Sequence, residues 1–125
     1  MFKKVLYFLP FVFMASCYQP ERNCEDFKTG KFSFTYTLEG KERTDIFYRS
    51  DSIEISWLED TVDTSSVRWI NDCEFILRKR NPVTLSDQKA VHVEILFTTK
   101  DSYTFEYNIV GDLKNKQRGT AKIVK

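Results

Sequence analysis

The sequence predicts an all-β protein, an antiparallel meander of about eight short strands that forms a small barrel or half-barrel. From residue 27 onward, apolar and polar residues alternate with a period of two, which is typical of half-buried strands. Short polar segments suited to tight turns separate these alternating runs. No segment of this region has the 3.6-residue apolar period of a long helix. We therefore expect a single β domain over residues 27–125.

An export signal is predicted to precede this domain over residues 1–16. Two lysines come before a short apolar run, and the small residues Ala15 and Ser16 come directly before Cys17. This order is typical of a cleaved signal-peptide helix that is too short to span a bilayer. It also resembles a bacterial lipoprotein signal, in which the cysteine after the cleavage site carries lipid. Residues 17–26 are then a lipid-anchored tether, whereas an ordinary signal would leave Cys17 as a free thiol.

The chain contains three cysteines, an odd number that lipidation of Cys17 explains for an exported protein. The other two, Cys24 and Cys73, are free to pair in an oxidising compartment. Their bridge would close a loop of about 50 residues, which stabilises a small domain by roughly 4 kcal/mol. A metal site is the less favoured alternative, because there is no Cys-x-x-Cys motif and His92 is the single histidine.

The first three strands follow from alternation around two turns. Residues 39–41 form the first predicted loop, which places Phe34 opposite Ile46. A two-residue turn at 51–52 then places Ile46 opposite Trp57. This register predicts an inward face made of Phe32, Phe34, Ile46, Tyr48, Ile55 and Trp57.

A turn at residues 71–72 joins the fourth and fifth predicted strands. A strict two-residue turn would place Trp69 and Cys73 on opposite faces of the sheet. A loop with an odd number of residues places both on the same face as Phe75 and Leu77. We favour the odd loop, because it buries the larger apolar set.

The next hairpin is predicted to turn at residues 100–102. This three-residue loop pairs Phe97 with Phe105 and Ile95 with Tyr107, as aromatic and β-branched cross-strand pairs. A two-residue loop would oppose odd and even positions and bury a glutamate, so it is rejected.

Two less regular elements complete the predicted meander. Residues 81–90 form the longest break and have room for one helical turn. A last strand is expected near residues 119–124, after a polar segment.

The signal and two further segments resemble small lipoproteins of Bacteroidota bacteria. The segments are CEDFKTGKF at 24–32 and WINDCEF at 69–75. The family has no established activity. Some members are labelled as a topoisomerase IV subunit, but removal of the 16-residue signal from the 125-residue chain leaves 109 residues, which are too few for that enzyme. Surface-displayed lipoproteins of this group often have an acidic stretch after the lipidated cysteine, whereas Glu21 is balanced here by Arg22. The resemblance implies an outer-membrane lipid anchor on the periplasmic face.

No catalytic, cofactor or metal site is predicted. His92, Glu94 and Glu106 fall on polar strand faces without a supporting motif, so we expect solvated side chains. The acidic residues at 59, 60 and 63 lack the glycine and the spacing of an EF-hand. Without the two lysines of the signal, 17 basic residues face 18 acidic ones. This balance argues against a nucleic-acid partner.

Five aromatic residues are candidates for a ligand pocket or for the core: Trp57, Trp69, Phe97, Phe105 and Tyr107. An eight-stranded barrel has room for its own side chains or one small ligand, and about ten inward aromatics are expected to fill it. The strand pattern also resembles lipocalin-like domains. The sequence therefore predicts a non-enzymatic, membrane-anchored envelope module that is structural or contacts an unidentified protein. The alternative is a lipocalin-like carrier of a small hydrophobic ligand.

Overall fold

Eight antiparallel strands, each paired with its neighbours in sequence, close into a barrel in which the last strand pairs with the first. The computed structural model describes residues 21–58 and 60–125, so the predicted signal and Cys17 lie outside the described residues. The predicted all-β meander is confirmed. The strands are β1 (Gly30–Leu38), β2 (Lys41–Arg49), β3 (Ile53–Leu58), β4 (Thr61–Asn71), β5 (Glu74–Lys79), β6 (Val91–Thr98), β7 (Ser102–Ile109) and β8 (Gln117–Ile123).

The two ends of the barrel differ. The end with the β2–β3, β4–β5 and β6–β7 turns is covered by a 3-10 helix, Cys24–Phe27, and is called the closed end here. A disulfide joins Cys24 to Cys73 with a Cα–Cα distance of 5.2 Å, as predicted. Because Cys24 is only 2% exposed, the packed fold begins before the expected boundary at residue 27. The opposite, open end has the remaining hairpin turns and the long 80–90 segment, which contains the expected helical turn at Ser86–Gln88.

The hydrophobic core is concentrated at the closed end. Phe27, Phe32 and Tyr103 pack together there, with ring centroids 5.2–6.3 Å apart. Ile95 and Ala121 complete this buried cluster. Within the described residues, no helix has the length and apolar character needed to cross a membrane.

The β1–β2 register differs from the prediction by one residue. Leu38 pairs with Lys41 across a two-residue turn, in which Glu39 and Gly40 have φ values of 52° and 77°. Positive φ at both central positions is typical of the tight turns that match strand twist. Phe34 therefore lies opposite Asp45, and the predicted pairing with Ile46 is wrong.

This shift reverses the faces of β2 and β3, since successive side chains of a strand point to opposite sides. The predicted pairing of Ile46 with Trp57 is correct, so the faces of β3 are reversed together with those of β2. Trp57 is 42% exposed and Tyr48 is 43% exposed on the outer face. The predicted inward positions of Ile46, Tyr48, Ile55 and Trp57 are therefore wrong. The inner face has Asp45, Phe47, Arg49, Glu54 and Ser56 instead.

The β4–β5 hairpin has the predicted faces. Trp69 pairs with Phe75, and a register shift before Asn71 supplies the odd residue. Phe75 is buried, and Trp69, Cys73 and Leu77 pack against the core clusters. The predicted faces are confirmed, whereas the turn itself, at residues 72–73, has two residues and the bulge in β4 replaces the predicted odd loop.

The β6–β7 pairing differs from the prediction. Ile95 pairs with Phe105, and a bulge precedes Phe97, which lies opposite Thr104. The bulge turns Phe97 outward, to 36% exposure, and buries Thr98. The Thr98 amide donates to the Glu21 carbonyl at 2.7 Å. The bulge therefore places Thr98 inward in place of Phe97, and Thr98 binds the segment that leads to the 3-10 helix.

Candidate functional site

A partly open cavity of about 230 Å³ occupies the part of the barrel above the closed-end core. Six of the eight strands contribute to its walls, and most of the lining is apolar. This volume is below the usual ~300–1,000 Å³ of ligand pockets, but a dry cavity of roughly 150 Å³ already holds benzene. The lining residues are Phe34, Asp45, Phe47, Arg49, Glu54, Ser56, Phe75, Leu77, Val91, Val93, Tyr103, Phe105 and Tyr107.

The cavity is bounded by the mostly polar inner faces of β2 and β3 and by Phe34, whose ring lies close to Gly119 of β8. A Cβ at Gly119 would stand 2.9 Å from Phe34 Cζ and 3.0 Å from Phe105 Cζ. The absence of a side chain at Gly119 lets both rings lie on the barrel wall, with their centroids 5.4 Å apart. The expected filling of the interior by aromatic side chains is therefore incomplete.

Arg49 forms the floor of the cavity and is only 1% exposed. Its Nη2 donates to the Phe27 carbonyl at 2.6 Å and to the Tyr103 hydroxyl at 3.1 Å. Its Nε donates to the Lys28 carbonyl at 3.3 Å, and its Nη1 donates to Glu54 Oε1 at 3.1 Å. The guanidinium thus ties the closed-end helix to three strands of the barrel.

Aromatic rings surround this guanidinium. Its carbon lies 4.7 Å from the centroid of Phe75 and 5.1 Å from that of Phe32. The rings of Tyr103, Phe47 and Trp69 are 5.5–5.8 Å away. Arginine stays charged in proteins, so ring faces and Glu54 replace the water that burial removes.

Two carboxyl groups lie on the wall formed by β2 and β3. Burial raises the pKa of Glu54 above 4.5, and the Arg49 charge and hydrogen bond only partly oppose this rise. Partial burial raises the pKa of Asp45 above 3.8, opposed by the Tyr36 hydroxyl at 3.3 Å and by the Arg43 charge. Burial also raises the pKa of the Tyr107 phenol, which therefore stays neutral at physiological pH.

The structure places the five predicted aromatics in three different environments. Phe105 and Tyr107 line the cavity. Trp69 packs beneath it on Phe75, with ring centroids 4.6 Å apart, and its buried Nε1 has no hydrogen-bond partner among the described residues. Trp57 and Phe97 lie on the outer face and contribute nothing to the cavity.

Sequence reasoning missed Asp45, Arg49 and Glu54. The signal that could have found them is the phase of β2, where Asp45, Phe47 and Arg49 alternate as regularly as Ile46 and Tyr48 do. Three consecutive apolar residues in the middle of β2 leave its inward face undecided by alternation alone.

The other polar candidates lie outside the cavity. His92 Nε2 is 3.1 Å from Glu74 Oε2, at half-buried positions on β5 and β6. Glu94 lies directly opposite Glu106. Glu94 pairs with Arg22, and Glu106 pairs with two basic side chains of the 116–118 segment.

The acidic cluster is only partly described, because residue 59 lies outside the described residues. Asp63 Oδ2 is 3.6 Å from Lys79 Nζ, which is also 3.4 Å from Asp87 Oδ1. Across residues 21–58 and 60–125, no group of three or more metal-ligating side chains converges.

Comparison of the chain with protein-family models, with curated proteins and with solved structures found no match. The similarity to lipocalin-like domains therefore rests on the closed eight-stranded barrel and its internal cavity. A barrel of this size is compatible with a carrier of one small ligand.

Proposed function

We propose that this protein is a non-enzymatic, lipid-anchored carrier that holds one small hydrophobic molecule inside its barrel. The cavity of about 230 Å³ supports this proposal, because its lining is mostly aromatic and aliphatic. A volume of that size suits one ring with a short substituent, since benzene fits a dry cavity of roughly 150 Å³. The outer-membrane anchor through Cys17, on the periplasmic face, remains a prediction from the sequence.

The position of the first described residues supports a particular orientation for the anchored protein. Glu21 is hydrogen-bonded to Thr98 at the closed end of the barrel. The four residue-to-residue steps from Cys17 to Glu21 span at most about 14 Å when extended. A lipid on Cys17 would therefore hold the closed end near the membrane and leave the open end facing away from it.

Native mass spectrometry of the full chain, purified in mild detergent, tests the carrier function. We expect a second species that is heavier by the mass of a small organic molecule. A single unliganded mass in independent preparations would contradict the proposal. Fractionation tests the anchor separately: Cys17→Ala is expected to move the protein to the soluble fraction, and retention on the membrane would refute lipidation.

A second candidate is an envelope module that binds another protein. The exposed rings of Tyr48 and Trp57 on the outer face of β2 and β3 favour it, because large aromatics are enriched at interfaces. A photo-crosslinking amino acid at position 57 should then capture one envelope protein in intact cells. The same substitution at the exposed position 122 of β8, a strand that pairs with neither β2 nor β3, is the matched control. Equal capture from both positions would argue against the interface.

A further inference from the structure

We infer that the cavity selects a small aromatic or aliphatic molecule with one protonated amine and excludes carboxylates. This inference rests on the proposed carrier function and specifies the chemical class of its ligand. It is based on the charged groups that line the cavity and on the hydrogen bonds they already make.

The charges that line the cavity are unbalanced. Asp45 and Glu54 contribute two carboxylates, whereas Arg49 contributes the one permanent cation among the lining residues. Glu54 is bonded to Arg49, so the negative charge of Asp45 is the one without a cationic partner among the lining residues. In a cavity with mostly apolar walls, such a charge attracts a cation more strongly than it would in water.

Arg49 has little capacity left for an anionic ligand. A guanidinium has five N–H groups, and those of Arg49 already make four hydrogen bonds. One of the four goes to Glu54, whose carboxylate occupies the side of Arg49 that faces the cavity. A ligand carboxylate would have to displace Glu54 or lie beside it, and both arrangements are unfavourable.

Asp45 is the group that can receive the amine. It lies on the wall of β2, four residues nearer the open end than Arg49, which is about 13 Å along a strand. Tyr36 donates one hydrogen bond to Asp45 Oδ1, and a carboxylate has room for several. The apolar body of the ligand would then occupy the space between Asp45 and the floor, against Phe47, Leu77 and Phe105.

Neighbouring cations do not fully compensate Asp45. Arg43 attracts it, yet burial remains the largest influence on its pKa and keeps that pKa raised. A bound ammonium would therefore reduce a desolvation cost that Tyr36 and Arg43 leave in place.

Calorimetric titration of the full chain at neutral pH with three probes of equal shape tests this inference. The probes are 2-phenylethylammonium, 2-phenylethanol and phenylacetate, which differ in charge. We expect the amine to bind about tenfold more tightly than the alcohol, and phenylacetate more weakly than both. If the alcohol or phenylacetate binds as tightly as the amine, the inference is overturned and the carrier function stands. If none of the three binds, both proposals fail.

Two charge-removing variants locate the amine. Asp45→Asn should weaken binding of 2-phenylethylammonium about tenfold and leave binding of 2-phenylethanol unchanged. Asp101→Asn, at an exposed turn of the closed end, is the matched control and should change neither affinity. An Asp45→Asn protein that keeps the full preference for the amine would refute the assigned position. Unchanged binding of the alcohol shows that the variant is folded.

Discussion

The ion pair between Arg49 and Glu54 is expected to stabilise the barrel, so a loss of either charge should lower the free energy of unfolding. In the variant Arg49→Met, the side chain keeps a similar length but loses its hydrogen bonds to Phe27, Lys28 and Tyr103. Glu54, whose side chain is only 15% exposed, is also left without its partner. Removing one partner of a buried ion pair typically costs about 3–5 kcal/mol, so we expect a loss of about 4 kcal/mol.

The single variant Glu54→Gln should cost less, since the amide oxygen still accepts a hydrogen bond from Arg49. A hydrogen bond to a charged group is worth about 1.5–3 kcal/mol, and because Gln loses only the charge and keeps the bond, we expect a loss of about 1 kcal/mol. In the double variant, the neutral amide replaces a carboxylate that has already lost its partner, so the second change adds almost nothing. The loss in the double variant should therefore fall short of the sum of the single losses by about 1 kcal/mol.

Guanidinium chloride unfolding of the wild type and the three variants, followed by tryptophan fluorescence, measures these differences. Trp69 is a suitable reporter, because its ring lies 5.8 Å from the Arg49 guanidinium carbon. Losses that add within about 0.5 kcal/mol would show that Arg49 and Glu54 act independently. That result would refute the interpretation of the cavity floor as an ion pair enclosed by aromatic rings.

Three further predictions concern the disulfide, the barrel wall and pH. Replacing both Cys24 and Cys73 by serine should cost about 4 kcal/mol in chemical unfolding, because 49 positions separate them, and reduced wild type should match the variant. Gly119→Ala should cost about 1–3 kcal/mol and reduce probe binding, since the methyl group pushes Phe34 into the cavity; unchanged stability would contradict the close contact. Because the pKa of Glu54 is raised in the folded state, folded Glu54 keeps its carboxyl proton above pH 4.5, where the unfolded chain loses it. The contribution of Glu54 to the free energy of unfolding therefore falls as pH rises through the folded-state pKa. The stability advantage of wild type over Glu54→Gln should therefore shrink across that window, and an advantage that grows with pH would contradict the raised pKa.

Much of the architecture could be predicted from local sequence. The period of two identified the strands, and the disulfide followed from the cysteine count. The inward face of β5 was also predictable, because Glu74 and Arg78 lie on the same face as Ile76 and leave Phe75 and Leu77 on the other. In such segments, burial of the larger apolar set decides the register.

The inward face of β2 could not be predicted in the same way. Ile46, Phe47 and Tyr48 are consecutive, so both faces of the strand are apolar in its middle. The turn at Glu39 and Gly40 decides the register, and burying Arg49 is possible only because carbonyls and rings from distant segments surround it. The alternation of apolar and polar residues along one strand does not indicate those long-range partners.

A pair of serine substitutions shows whether the barrel interior binds a small ligand. Ser56 lines the cavity on β3, whereas Ser66 pairs with Ile53 on the outer face of the same hairpin. Ser56→Phe is expected to fill the cavity and to abolish calorimetric binding of 2-phenylethylammonium and 2-phenylethanol, while Ser66→Phe binds like the wild type. Wild-type affinity in a folded Ser56→Phe protein would mean that the ligand binds elsewhere and would refute binding inside the barrel.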